Sequence, residues 1–388
     1  MNARITFGDN GHSCHTGLLN PPLAVQAPSA NPCAAISDRT ARQRCRIEAA
    51  RRMQHDWLSR LAFGPERGRA RLVQLWTGIF PVSWRDLPDP TLLRRQLATI
   101  EAQLGGSFGQ LLSAMLLDPA LQISLNGPSN HRARPNENLA RELLELFSLG
   151  EGHYSEADVR EAARALSGYQ LGAEGGMVLN ARRHDSGSKR ILGRTAAFDA
   201  ASLAAFLAAQ PATARHICGR LWRALVGPLP PPARLNALAD DWRRQRLSLP
   251  WLMQALQTAP ETRAARGQRL EDPILVVSRS LALLGSRHED ALQIARSQLA
   301  PMGQPVLEPP SVKGWPVNEE WINLRWLQAR RRGLAALLAD EEVWASAALP
   351  PQLLPTLTPI PPLGLDLPAP ADRSRLAQLF ADPVWQLA

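Results

Sequence analysis

Four short blocks of the chain hold the residues whose types and spacing suit chemistry. The densest runs from Pro135 to Gly150 and reads Pro-Asn-Glu-Asn-Leu-Ala-Arg-Glu-Leu-Leu-Glu-Leu-Phe-Ser-Leu-Gly. At about 100° per residue, Leu139, Ala140, Leu143, Leu144, Leu146 and Phe147 fall on one face, and Asn138, Arg141, Glu142 and Glu145 on the other. That polar face is either a solvated one carrying an Arg141–Glu145 ion pair, or a cleft-facing carboxylate pair with its own guanidinium. The second arrangement suits a metal, a sugar or a cationic group. Asn136 is placed to cap the helix start and Gly150 its end.

The second block, Arg183 to Lys189, puts a base, His184, an acid, Asp185, a glycine and Lys189 within one loop. Loops carrying such groups serve ligands, whereas the plain alternative is an Asp-led turn with Gly187 at a left-handed position. The block is neither a phosphate loop nor a metalloprotease helix. In the third, Ser311 to Pro316, Gly314 and Pro316 shape a turn, while Trp315 and the nearby Trp321 call for burial. The fourth is the capping box Ser155-Glu156-Ala157-Asp158, which makes its acid structural. The helix it opens is bracketed by Tyr154 and Tyr169, the only tyrosines, each either a buried phenol with a hydrogen-bond partner or plain core filling.

In an enzyme, His184 is the general base, Glu142 and Glu145 serve as acid or ligands, and Arg141 and Lys189 hold an anion, with Asp185 beside the base. Asn138, Lys313 and Trp315 complete the ligand-binding candidates. Only two of the 44 basic residues are lysines, Lys189 and Lys313. Because a compact ammonium differs from a guanidinium, a shared acidic partner is expected. At least one lysine should lie within salt-bridge reach of Glu142, Glu145 or Asp185.

The elements that must position these groups are helices. Apolar residues recur at three and four residue steps in fourteen stretches, from 37–63 to 372–381, with Pro and Gly at nearly every junction. The expected fold is all-α, a multi-helical globular bundle with one small β-hairpin near 169–192, where Tyr169–Leu171 and Met177–Leu179 flank a Gly-rich turn. Residues 1–36 read as a loosely ordered N-terminal tail and 37–348 as the helical body. Residues 349–371, with eight prolines, read as a linker or wrapping segment, and 372–388 as a C-terminal helix.

With 45% apolar and 20% charged residues the chain is globular. It lacks the run of about 18 uncharged apolar residues that a membrane span needs. The net charge of +9 is spread as scattered arginine, so no nucleic-acid partner is expected. Cys14, Cys33, Cys45 and Cys218 form no Cys-x-x-Cys pair and read as buried or idle thiols, neither a zinc knuckle nor a disulfide framework. No cofactor or resident metal is implied. The first twenty residues lack the apolar core of a signal peptide, which points to the cytoplasm.

Taken in order, the blocks carry a resemblance. Asn136-Glu137-Asn138 through Glu145-Leu146, Tyr154-Ser155 with Asp158-Val159, Ala163 to Gly168, His184-Asp185 to Lys189, Leu192-Gly193 and Lys313-Gly314-Trp315-Pro316 resemble the bacterial DUF1800 family over about residues 55 to 340. Leu61 to Pro65, Trp76 to Ser83 and Asp118 to Asn130 look like its other blocks. The resemblance implies a helical protein, often exported and often encoded beside a sulfatase-like family, with no reaction attached. It also marks departures. Where the family usually shows Trp-His-Asn-His-Phe, this chain has Trp76-Thr77-Gly78-Ile79-Phe80, and where it shows Glu-Leu-His-Thr-Leu-Gly, this chain has Glu145 to Gly150 with Phe147 and Ser148. Asn126 stands where an Asp is usual. Loss of three histidines would strip a divalent metal of most of its ligands. The resemblance therefore favours a non-catalytic binding or assembly partner of an exported sulfatase-like protein, placed in the periplasm or beyond. The alternative is a hydrolase acting on a surface polymer or anionic substrate.

Overall fold

A computed structural model of the protein describes residues 31–388, so most of the expected N-terminal tail lies outside the described residues. The described part is built from seventeen α-helices and three two-stranded ladders. Helix α1 (Arg39–Phe63) starts where Asp38 accepts the Ala41 amide, and it buries Met53, Trp57, Leu58 and Leu61. Those are positions of its predicted apolar stripe. After it come α2 (Arg67–Thr77), α3 (Thr91–Gln103), α4 (Phe108–Leu116) and the short α5 (Pro119–Ser124). Helices α6 (Asn138–Glu145) and α7 (Glu156–Ala165) carry the first candidate residues.

The expected hairpin is present as β1 (Tyr169–Leu171) paired antiparallel with β2 (Met177–Leu179). A second one follows that the periodicity did not show: β3 (Lys189–Ile191) pairs with β4 (Arg194–Ala196) through Leu192-Gly193, both at positive φ. Its strands are three residues long and charged, so no alternation announced them.

Helices α8 (Ala200–Ala208), α9 (Pro211–Leu225), α10 (Pro232–Arg244), α11 (Leu249–Thr258) and the short α12 (Pro260–Ala264) complete the middle of the chain. Then come α13 (Pro273–Leu284), α14 (Glu289–Leu299), α15 (Leu324–Ala339), α16 (Glu341–Ala345) and α17 (Arg373–Ala381). The main helix pairs are α9 with α10, α4 with α8, α1 with α13, and α14 with α15. One contiguous core joins them. Its aromatic spine runs from Trp242 to Phe108 (5.8 Å), Trp76 (6.0 Å), Phe80 (6.3 Å) and Phe147 (5.3 Å).

The Pro-rich segment wraps the body. β5 (Gln352–Leu353) pairs with β6 (Ala369–Pro370), and Leu353 and Thr358 are buried. The last residues run beside the loop before α13, with Glu271 N–H donating to the Gln386 carbonyl and Gly267 N–H to that of Ala388.

The reading of the cysteines needs correction. Cys33 and Cys45 form a disulfide, while Cys218 is a free, buried thiol. A turn at Cys33–Ile36 folds the chain back over the first turns of α1, which brings the two Cα atoms within 5.8 Å. Spacing alone could not reveal that return.

Candidate functional site

Helix α6 is shorter than the predicted 136–149, but its faces are as expected. Leu139, Ala140, Leu143 and Leu144 are buried, Asn136 Oδ1 accepts the Asn138 amide (3.0 Å), and Gly150 closes the end at φ 86°. On the polar face the ion pairs differ from the expected one. Arg141 does not meet Glu145; it grips Glu156 in α7 with two bonds of 2.7 and 2.8 Å and touches Glu137 at 3.3 Å. The capping box at Ser155 and Asp158 presents Glu156 to it. Glu145 instead accepts the Tyr154 hydroxyl at 2.9 Å, and burial with that bond pushes the phenol up to about 12. Glu142 is half-buried: burial and the neighbouring Glu145 charge raise its pKa, while Arg141 and Lys313 pull it down.

The second block sits elsewhere on α7. His184 is nearly buried, with Nδ1 2.9 Å from the Ser167 carbonyl and its ring edge-on to Tyr169 at 6.5 Å. A carbonyl only accepts, so Nδ1 carries the proton and Nε2 is the basic nitrogen. Asp185 takes a bidentate pair from Arg164 (2.8 and 3.2 Å), which holds its carboxyl below the usual range. It also accepts the Gly187 amide at 2.9 Å, a turn in which Gly187 is not left-handed. Glu161 receives the Arg190 amide and Asp158 the Leu192 amide. The strap from His184 to Leu192 is thus clipped along α7 by side chains of that helix.

Lys189 is 1% exposed, and its ammonium donates to the carbonyls of Asp185, Gly187 (3.0 Å) and Phe198 (2.8 Å). Three donors meet three acceptors. The expected carboxylate partner is therefore replaced by backbone: Lys189 reaches Asp185, but through its main chain. A compact ammonium fits that cage where a planar guanidinium would not. Lys313 is exposed and forms no ion pair among the described residues; it acts on Glu142 only through its field. No hydrogen bond or ion pair among the described residues joins His184, Asp185 or Lys189 to Glu142 or Glu145. Asn138 begins α6, and Trp315 is half-buried.

What unites the family blocks is a residue that sequence reasoning passed over. Arg220 of α9 donates to the carbonyls of Leu146 (3.1 Å), Gly78 (2.9 Å) and Lys313 (3.4 Å). Its half-buried guanidinium has no carboxylate partner among the described residues, and burial pulls its pKa down to about 10. His216, one turn earlier, places Nε2 3.1 Å from the same Leu146 carbonyl. Gly314, at φ 87°, lies so close to Gly78 that a Cβ would stand 2.2 Å from its carbonyl oxygen. The signal was present in the sequence: Arg220 stands three residues after Ile217 and seven after Thr213, inside the buried stripe of α9.

Around this arginine the positions of the absent histidines are packed. Thr77 is 7% exposed, Ile79 4% and Phe147 0%, with Thr77 Oγ1 donating to the Gln74 carbonyl. Among the described residues no three His, Cys, Asp or Glu side chains lie close enough to share a metal ion. Beyond Arg220 opens a groove of about 380 Å³ lined by His153, Arg215, His216, Arg220 and Arg223, with Glu151 its one acid and Leu229 and Leu235 at its edge.

The fold and site define an all-α protein in which three of the motif blocks close on one arginine. The family model for DUF1800, described as a protein of unknown function, matches residues 11–383, and the chain belongs to that family. Neither the curated proteins nor the solved structures contain a match. No helix of the described residues is long and apolar enough to cross a membrane.

Proposed function

We infer that this chain is a non-catalytic binding or assembly partner of a neighbouring exported, sulfatase-like protein, and that the groove beside Arg220 docks an acidic segment of that neighbour. One observation carries the reading. Where the family blocks usually carry histidines, Thr77, Ile79 and Phe147 are buried, and Phe147 packs on Phe80 instead of presenting a ligand. No hydrogen bond or ion pair among the described residues joins the acid candidates, Glu142 and Glu145 on α6, to His184 on the strap along α7. General acid–base catalysis needs them within reach of one substrate.

Arg215 is exposed in the groove with no ion pair among the described residues, which favours an acidic residue in its occupant, whereas Arg223 already pairs with Glu319 (3.0 Å) and Glu320 (2.9 Å). The Cys33–Cys45 disulfide supports an oxidising compartment, the periplasm or outside, over the cytoplasm.

The test is binding of the full chain to the purified sulfatase-like neighbour by biolayer interferometry. Arg215 is exposed, so Arg215→Glu should leave the fold intact. The expected result is salt-sensitive binding, weakened about tenfold or more by that charge reversal. Absence of binding, equal binding by the variant, or ester hydrolysis abolished by Glu142→Gln would overturn the reading.

A further inference from the structure

Away from the family blocks, a cavity of about 490 Å³ lies beneath the proline-rich wrap, between α2, α11, α12 and α13. Its volume is that of a small-molecule site. Thr356 to Pro359 form one wall, so the wrap encloses space as well as covering core. Apolar surface comes from Leu75, Leu225, Leu256, Leu275 and Leu357.

Two of the arginines that face the cavity, Arg263 and Arg266, carry its open charge; Arg71, Arg269 and Arg279 lie in the field of Glu271, which with Asp272 is one of the two acidic side chains of the lining. Both acids are already committed: Glu271 pairs with Arg269 at 3.2 Å and Asp272 accepts Trp321 Nε1 at 3.0 Å. Arg263 and Arg266 are exposed at the rim, and no carboxylate pairs with either among the described residues.

Two donors inside are also unused. Thr358, 4% exposed, has a buried hydroxyl without a partner, and so does the buried Nε2 of Gln257. Such groups are costly to leave unsatisfied unless something accepts from them. The other hydroxyls of the lining differ, since Thr258 and Thr262 donate to the carbonyls of Gln254 and Leu256.

We propose that this cavity binds an organic oxyanion, a carboxylate or phosphate ester carried on an apolar body. The charged head accepts from Thr358 Oγ1, Gln257 Nε2 and the rim guanidiniums of Arg263 and Arg266, while the body lies against the leucines. An uncharged alcohol of the same body would leave Arg263 and Arg266 unanswered. An inorganic anion would leave the apolar wall wet.

The proposal is tested by titrating the full chain calorimetrically with octanoate, octyl phosphate, octanol and inorganic phosphate. At least one of the octyl anions should bind one to one with Kd on the order of 10–100 μM, with octanol and inorganic phosphate far weaker; which anion wins identifies the head group. Arg263→Ala with Arg266→Ala, both on the surface, should weaken binding about tenfold or more, and Thr358→Val, which keeps the shape, several-fold. No binding of either octyl anion, or equal binding by the arginine double variant, would overturn the proposal. Equal affinity for octanol would do the same. Binding of the anions by the Arg215→Glu variant should be unchanged, which separates this cavity from the groove beside Arg220.

Discussion

A half-buried guanidinium without a carboxylate is costly, and Arg220 is tolerated because carbonyls of three separate segments accept from it. Replacing it by methionine keeps the volume but leaves those carbonyls short of a donor. Arg220→Met should lower stability by about 2–3 kcal/mol, measured by urea unfolding, and should raise amide exchange in residues 311–316 more than elsewhere. Unchanged exchange there would show that the arginine does not hold the loop. Asp118 offers a test of a different kind. It caps α5 with one oxygen while the other, buried, has no partner, and burial raises its pKa to about 7. A carboxyl whose folded pKa lies above its unfolded value near 3.8 binds more protons when folded, so its contribution is complete at low pH and fades as pH rises through about 7. Asparagine still caps but does not titrate. Between about pH 4 and 7 the stability of the wild type relative to Asp118→Asn should therefore fall, by about 1 kcal/mol per pH unit, and level off above; a constant difference would place the carboxyl in water.

At the scale of elements, the Cys33–Cys45 link ties the turn before α1 to that helix. Alkylation followed by peptide mass mapping of oxidised protein should show Cys33 joined to Cys45 and Cys218 unmodified until denaturation. Cys45→Ser should cost about 1–3 kcal/mol, with exchange rising first over residues 39–46. Free Cys33 and Cys45 in protein isolated from an oxidising compartment would contradict the link. Helices were legible in the sequence by their apolar stripes, and some also by a cap: Ser155 with Asp158 before α7 and Asp372 before α17 both accept as their types demand. The second hairpin and the disulfide were not legible, since both depend on a chain reversal in a few residues without periodicity. At the candidate site the sequence told which residues are unusual but not what they face. The scarcity of lysine singled out Lys189 and led to the expectation of a carboxylate partner, which the fold does not supply. Its partners are carbonyls, which side-chain patterns do not encode. Arg141 likewise belongs to an ion-pair set, but its main partner Glu156 is fifteen residues on, in the next helix.

Across the whole molecule, three of the blocks that carry the family resemblance come together although they span residues 76 to 316. Trp76–Phe80 ends α2, Glu145–Gly150 ends α6, and the Lys313 turn closes over both, with α9 supplying the arginine between them. That convergence is long-range, so no local reading of the chain could give it. At its centre Phe80 and Phe147 are in ring contact at 5.3 Å. Such a centre offers no three ligands to a transition metal. The measurement that bears on this most directly is elemental analysis of the full chain, purified without chelator from cells supplied with zinc, iron and manganese. The packed centre predicts far less than one metal ion per chain. A reproducible content of about one zinc, iron or manganese per chain, lost on dialysis against chelator together with stability, would contradict it.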